Sequence, residues 1–253
     1  MYILRTWKAG DYIVIKKSHQ RGAEGKKRPR GKKEAETTEA AARYNLKMKT
    51  ERIQMLIMAN FVPGDLFVTL TYAKDKRPAD LKEAKNDFAV FMRKLKARMK
   101  KLGTDVRWIV NTEVGSRGAC HHHLVINYVP GILEAIREFW DHSNTPKIEH
   151  LYEDGAFRKL AEYMAKTGED KKAGRYSRSR NLIVPEMKEE LIEADTWQEE
   201  PRAKKGYIVL KDSIENGVNP FTGNRYQRYV MQSSPGWRTN EKKRDHKAAG
   251  KLP

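Results

Sequence analysis

Two strand-like runs joined by a short glycine-containing connection constrain this chain most. Arg107-Trp108-Ile109-Val110-Asn111-Thr112-Glu113 leads through Val114-Gly115-Ser116-Arg117-Gly118-Ala119 into Cys120-His121-His122-His123-Leu124-Val125-Ile126-Asn127. β-Branched and aromatic residues fill both runs, and the connection has the length and turn residues of a hairpin. Side chains alternate between faces along a strand. His121 and His123 therefore share one face, and His122 shares the other with Leu124 and Ile126. A hairpin sets Glu113 beside the histidines. Two imidazoles and a carboxylate on rigid strands form a candidate site for a metal ion. The competing reading is a surface turn carrying solvated histidines. Three of the seven histidines fall in this one run, which favours the metal site, with His122 as a packing residue.

The charge balance points to a polyanionic partner. The chain has 253 residues and a formal net charge of +18, with 33% charged residues. Nucleic acid is the leading partner class, because phosphates bound by Lys and Arg release counterions. No basic amphipathic helix with a strong apolar face points instead to a membrane surface. No run of about 18 apolar residues could span a bilayer, and the N-terminal residues lack the apolar core of a signal peptide. The expectation is a cytoplasmic protein. Cys120 is the only cysteine, so no internal disulfide forms; it reads as a packing residue.

Along the chain, 2–7 and 12–16 read as strands. Residues 21–33 form a basic arm punctuated by Gly and Pro, with Lys26, Lys27, Arg28 and Arg30 as candidate DNA contacts; a solvated linker is the equal alternative. Residues 34–60 have helical character. A strand at 66–72 is followed by a helix over 81–101, opened by Pro78 and Asp80, whose apolar face holds Phe88, Phe91, Met92 and Leu95. After the hairpin come a helix over 132–140, a short strand at 147–151 and a helix over 156–166. Arginines and an aromatic mix over 175–182, and further strands are expected at 206–211 and 225–232. No repeat, heptad run or phosphate-binding glycine loop is present. The order predicts an α+β fold, an antiparallel sheet with helices on one face, of the ferredoxin-like kind. The expected organisation is 1–60 for N-terminal strands, basic arm and helix, 61–182 for the core, and 183–253 for a C-terminal extension with a basic tail.

The helix over 156–166 carries Tyr163 and Lys166, three apart and hence on one face. A phenol ionises near pH 10 in water, so it needs a cation or metal nearby to act as a nucleophile. Tyr-x-x-Lys alone is a weak signal. Phe67-Val68-Thr69-Leu70-Thr71, then His121-His122-His123, then Tyr163-Met164-Ala165-Lys166, in that order, resembles the three motifs of the HUH endonucleases. Among these it resembles the rolling-circle replication initiators of plasmids and single-stranded DNA phages. The resemblance spans 66–182.

The resemblance implies that His121, His123 and Glu113 hold a divalent metal, Mg²⁺ or Mn²⁺. It implies that Tyr163 is the nucleophile, with Lys166 as its companion. The reaction implied is nicking of single-stranded or hairpin DNA at a replication origin through a 5′-phosphotyrosine, with a host helicase and polymerase supplying unwinding and synthesis. Arg175, Tyr176, Arg178, Arg180 and Asn181 resemble a DNA-contacting stretch of phage-type members. Two positions depart from the pattern. His122 stands where the family usually has a hydrophobic residue. Thr167 stands where two-tyrosine members carry a second Tyr, so a single-tyrosine enzyme is expected. A single-tyrosine transposase of the same chemistry and a nonenzymatic nucleic-acid-binding protein are the alternatives.

Overall fold

The computed structural model describes residues 1–19, 38–115, 118–143, 145–152, 155–166 and 176–234. The basic arm, with Lys26, Lys27, Arg28 and Arg30, lies outside these residues, as do Thr167 and Arg175. In chain order the elements are β1 (Tyr2–Ala9), β2 (Tyr12–His19), α1 (Glu39–Asn60), β3 (Leu66–Leu70), α2 (Leu81–Lys101), β4 (Trp108–Val114), β5 (Cys120–Ile126) and α3 (Ile132–Phe139). They continue as β6 (Lys147–His150), α4 (Arg158–Ala165), β7 (Ser177–Arg178), β8 (Met187–Ile192), β9 (Tyr207–Val209), β10 (Glu215–Val218) and β11 (Arg225–Ser233). Two antiparallel sheets and four helices make the chain α+β.

The chain divides into two compact units, one of residues 46–183 and the other of 1–45 together with 184–253. The N-terminal strands and the C-terminal extension are thus parts of one sheet. Its order is β10-β11-β2-β1-β8, with β9 also paired to β11. Ile13, Ile15, Tyr229 and Met231 form a small core on one face of it. Strand β8 is mostly exposed and holds Arg5 through Glu189 at 2.8 Å. Its run of Lys, Glu and Glu gives no strand signal, and only pairing with β1 makes it one.

The second unit holds the hairpin. Its sheet runs β6-β3-β5-β4-β7, and the first four strands take the interleaved order of a ferredoxin-like βαββαβ unit. Helix α2 begins where the sequence predicts. The Asp80 side chain accepts the Glu83 N–H at 2.8 Å, and Glu83 accepts from the Ala79 N–H at 2.6 Å, close to a capping box. Its apolar face, with Phe88, Phe91 and Leu95, packs on Val68, Leu70, Val110, Leu124 and Ile126, together with Ile136 of α3.

Helix α4 corrects the expectation that all helices cover one face. The Phe88 ring of α2 sits 5.1 Å from His122, whereas Tyr163 of α4 sits 4.7 Å from His123. Adjacent residues on a strand face opposite ways, so α2 and α4 lie on opposite sides of the sheet. Helix α4 also starts two residues later than its pattern suggests. Ala156 and Phe157 have φ of 58° and 59°, a left-handed conformation unusual for residues with a Cβ. Both are buried, and the Ala156 carbonyl accepts the Gln54 side-chain amide at 3.0 Å. Burial of the Phe157 ring and this hydrogen bond offset the backbone cost, of order 1–3 kcal/mol per residue.

Candidate metal and nucleophile site

The register of the hairpin builds the site. Glu113 pairs with His121, and Asn111 pairs with His123. On this face Glu113 Oε1 lies 2.9 Å from His121 Nε2 and 3.0 Å from His123 Nε2. The three ligand atoms fall within 4.8 Å of one another. Phe67 of β3 stacks parallel on His123 at 6.0 Å and 7°, and meets Tyr163 edge-on at 5.9 Å. The Tyr163 hydroxyl lies 3.2 Å from His123 Nε2. Glu113, His121, His123 and Tyr163 are therefore brought together.

The donor chemistry of this cluster fits a divalent cation. A carbonyl only accepts, so His121 Nδ1–H donates to the Ala119 carbonyl at 3.2 Å. A neutral His121 then presents its Nε2 lone pair to a carboxylate oxygen that is itself only an acceptor. An imidazole that gives its second N–H to a backbone carbonyl is the usual arrangement of a metal ligand. Asn111 adds a second sign. It is fully buried on the same face, and neither its amide nitrogen nor its amide oxygen has a hydrogen-bond partner among the described residues. A polar group left so costs about 1–3 kcal/mol. A cation with its own water molecules beside the strand would supply partners for that amide.

Electrostatics without a cation work against the phenol. Burial, then the carboxylates of Glu113 and Glu149, push the Tyr163 pKa up. Glu149 pairs with Phe67 on β6 and so belongs to this face. Burial pushes the His123 imidazole down, opposed by Glu113. Lys166 follows the last residue of α4 as its C-cap and is exposed. Its ammonium makes no ion pair or hydrogen bond among the described residues.

His122 occupies the opposite face. It is fully buried, with Thr112 Oγ1 2.9 Å from Nδ1 and the Tyr72 hydroxyl 2.9 Å from Nε2. Phe88 and Trp140 enclose the ring. Burial first, then the charges of His121, His123 and His142, lower its pKa from 6.5 to about 3. The folded imidazole stays neutral where the unfolded one takes a proton. Stability present above pH 6.5 is accordingly lost as pH falls toward 3. His122→Leu removes this proton site, so its melting temperature should fall less between pH 7 and pH 4.5 than that of the wild type. Parallel pH profiles for the two proteins would refute the assignment. Cys120 points the same way as His122 and is buried in the core, away from the metal face.

The 176–182 segment is largely built into the sheet edge. Ser177 and Arg178 form β7 against Val110 and Ile109. Ser179 Oγ accepts the Trp108 N–H at 3.1 Å, and Asn181 Nδ2 donates to the Val106 carbonyl at 3.2 Å. Arg178 and Arg180 remain exposed, and Tyr176 is partly so. Sequence reasoning missed Phe67 as a wall of the site, Glu149 as a second carboxylate and Asn111 as an orphaned amide. Strand alternation could have placed Asn111 beside Glu113, but no local signal marks Glu149.

Comparison with known families agrees with this region. Residues 65–168 match a family of replication-associated proteins of the ORF2 type. The matched segment is less than half of the chain and includes Glu113, His121, His123, Tyr163 and Lys166. No curated protein and no solved structure gives a significant match. No described helix is long and apolar enough to cross a membrane. The matched segment is thus similar to replication-associated proteins, and its Glu113–His121–His123 cluster could hold a metal ion.

Proposed function

We propose that this protein is a metal-dependent, single-tyrosine DNA endonuclease of the HUH type that initiates rolling-circle replication. The observation that carries the reading is the Tyr163 hydroxyl 3.2 Å from a histidine of the Glu113–His121–His123 cluster. The family match over the same residues supports a replication role ahead of transposition.

Glu113, His121 and His123 would hold Mg²⁺ or Mn²⁺; hard oxygen and borderline nitrogen donors suit both, Mn²⁺ better. When bound, the ion supplies Lewis-acid neutralisation of the scissile phosphate's charge. The residues do the rest. Helix α4 carries Tyr163 over the sheet face, and Phe67 holds the phenol and the His123 ring at fixed angles. The Tyr163 oxygen attacks phosphorus; the Oη–P bond forms, the P–O3′ bond breaks, and the 3′ oxygen leaves and takes a proton. One phosphodiester replaces another, so the covalent 5′-phosphotyrosine can be religated and the 3′-hydroxyl can prime synthesis. The carboxylates that raise the phenol's pKa lose that influence once Glu113's charge is balanced. Lys166, Arg178 and Arg180 are assigned to phosphates of the strand. Tyr176 is assigned to stacking, and Asn181 to holding the edge strand that presents them. Host helicase and polymerase would act on the product in the cytoplasm.

The test is incubation of the whole chain with a random-sequence pool of single-stranded oligonucleotides and Mn²⁺. A protein–DNA adduct that survives SDS and heat, and vanishes with EDTA, is expected. Absence of both adduct and cleavage across the pool, and across hairpin versions of it, would overturn the reading.

Gly115 offers a finer check. A Cβ at this position would lie 2.6 Å from His121 Cε1 and 3.3 Å from its Nδ1. His121 is pinned by Ala119 and Glu113, so Gly115→Ala must shift the ring off its position. By analogy with groups that orient metal-bound histidines, Mn²⁺ affinity should fall about 10- to 100-fold. Electron paramagnetic resonance titration of free Mn²⁺ measures it; unchanged affinity would show that His121 does not bind the ion.

A further inference from the structure

The sheet of the other unit carries a second constellation, remote in sequence from the matched segment. Tyr2 of β1, Lys17 of β2 and Tyr229 of β11 lie on one face of adjacent strands, at the end of the small core around Ile15 and Met231. The segment after β8 closes over them. Gln227 donates to the Gln198 and Glu199 carbonyls, each at 2.9 Å, and His19 meets the Asp195 carbonyl at 2.8 Å. A cavity of about 490 Å³ remains between strands and segment, lined by Tyr2, Lys17, Trp197, Arg202, Tyr229 and three uncharged residues.

The lining has a specific chemistry. Trp197 meets Tyr2 edge-on at 5.2 Å and tilts over His19 at 4.9 Å, which holds the indole upright at the cavity wall. Lys17 Nζ sits 5.4 Å over the Tyr229 ring and donates to Gln227 Oε1 at 2.9 Å. An ammonium has three donors, so two remain. Arg202 is exposed and makes no salt bridge among the described residues. Two cations line the cavity and no carboxylate does. Burial pushes the Lys17 ammonium down, a cost that an incoming anion would relieve.

We propose that this cavity binds one nucleotide of single-stranded DNA, its base against Trp197 and Tyr2 and its phosphate against Lys17 and Arg202. Three aromatic rings beside two cations suit a flat, apolar-faced group joined to an anion. The volume falls within the usual range for small-ligand sites, roughly 300–1,000 Å³. The chain's +18 charge supplies the long-range attraction for a polyanionic strand. The site rests on the DNA-binding part of the proposed function and not on cleavage. It would hold the strand at a second point, so that the scissile phosphate is presented by a tethered substrate.

The experiment uses the whole chain in EDTA, where no cleavage occurs, with fluorescein-labelled oligothymidine read by anisotropy. Trp197→Ala should weaken binding by about 5- to 150-fold, the range for loss of one base stack, and Trp197→Phe should recover most of it. Arg202→Gln should make the slope of log affinity against log salt shallower by about 0.7, one phosphate's share on a single strand. Unchanged affinity of Trp197→Ala, with a melting curve matching the wild type, would overturn the site. Competition by thymidine monophosphate at micromolar concentration would reassign the cavity to free nucleotides and overturn the strand proposal. Failure of the wild type to form an adduct with Mn²⁺ would sink the proposed cleavage and leave the affinity result standing.

Discussion

Tyr163→Phe should abolish the covalent protein–DNA adduct, to below any detectable level, while DNA affinity stays within about twofold. The substitution removes one oxygen from a side chain whose ring stacks edge-on against Phe67 and His123. Those ring contacts survive in Phe, and so does the small buried face of α4, made of Ala161, Met164 and Ala165. The hydroxyl's own neighbours are the His123 nitrogens at 3.2 and 3.4 Å, so little else depends on it. Denaturing gels with a labelled oligonucleotide measure the adduct, and anisotropy measures binding. An adduct of undiminished yield from the Phe variant would remove Tyr163 from the mechanism. Tyr152, which is exposed, and Tyr176 would become the candidates.

The second large effect concerns the ligand cluster. His121→Ala and His123→Ala should each eliminate measurable Mn²⁺ binding and cleavage, and Glu113→Ala should weaken both. Glu113 Oε1 is the atom shared by both histidines, and removing any member leaves too few protein donors for a hard divalent ion. His122→Leu should instead keep Mn²⁺ affinity near that of the wild type. Its cost falls on the fold, because Thr112 and Tyr72 lose their partner in the core. Calorimetric Mn²⁺ titration of the four variants separates the faces. Equal loss of binding in His122→Leu and His121→Ala would contradict the strand alternation on which the site is built.

The central unit and its site were legible in sequence because they depend on short-range patterns. Alternation along Cys120–Ile126 placed His121 and His123 on one face, and a short hairpin needs only a few residues to set Glu113 beside them. The period of Phe88, Phe91 and Leu95 and the Asp80 cap placed α2. These signals act within a turn or between neighbouring strands, where chain connectivity limits the alternatives.

What tertiary structure decided lies in contacts between residues distant along the chain. Pairing of β1 with β8 and of β2 with β11 joins the two ends of the chain into one sheet. No local pattern announces this, since β8 is rich in charge and its strand character comes from its partner. The start of α4 was decided by burial of Ala156 and Phe157 in left-handed backbone, against propensity. The side of the sheet on which α4 lies, and hence the meeting of Tyr163 with His123, follows from that entry and from packing. The cavity at Tyr2, Lys17 and Trp197 draws on three segments spread over nearly the whole chain. Sequence order carries residue chemistry and local period; which distant groups share a surface is fixed only when burial selects one packing among many.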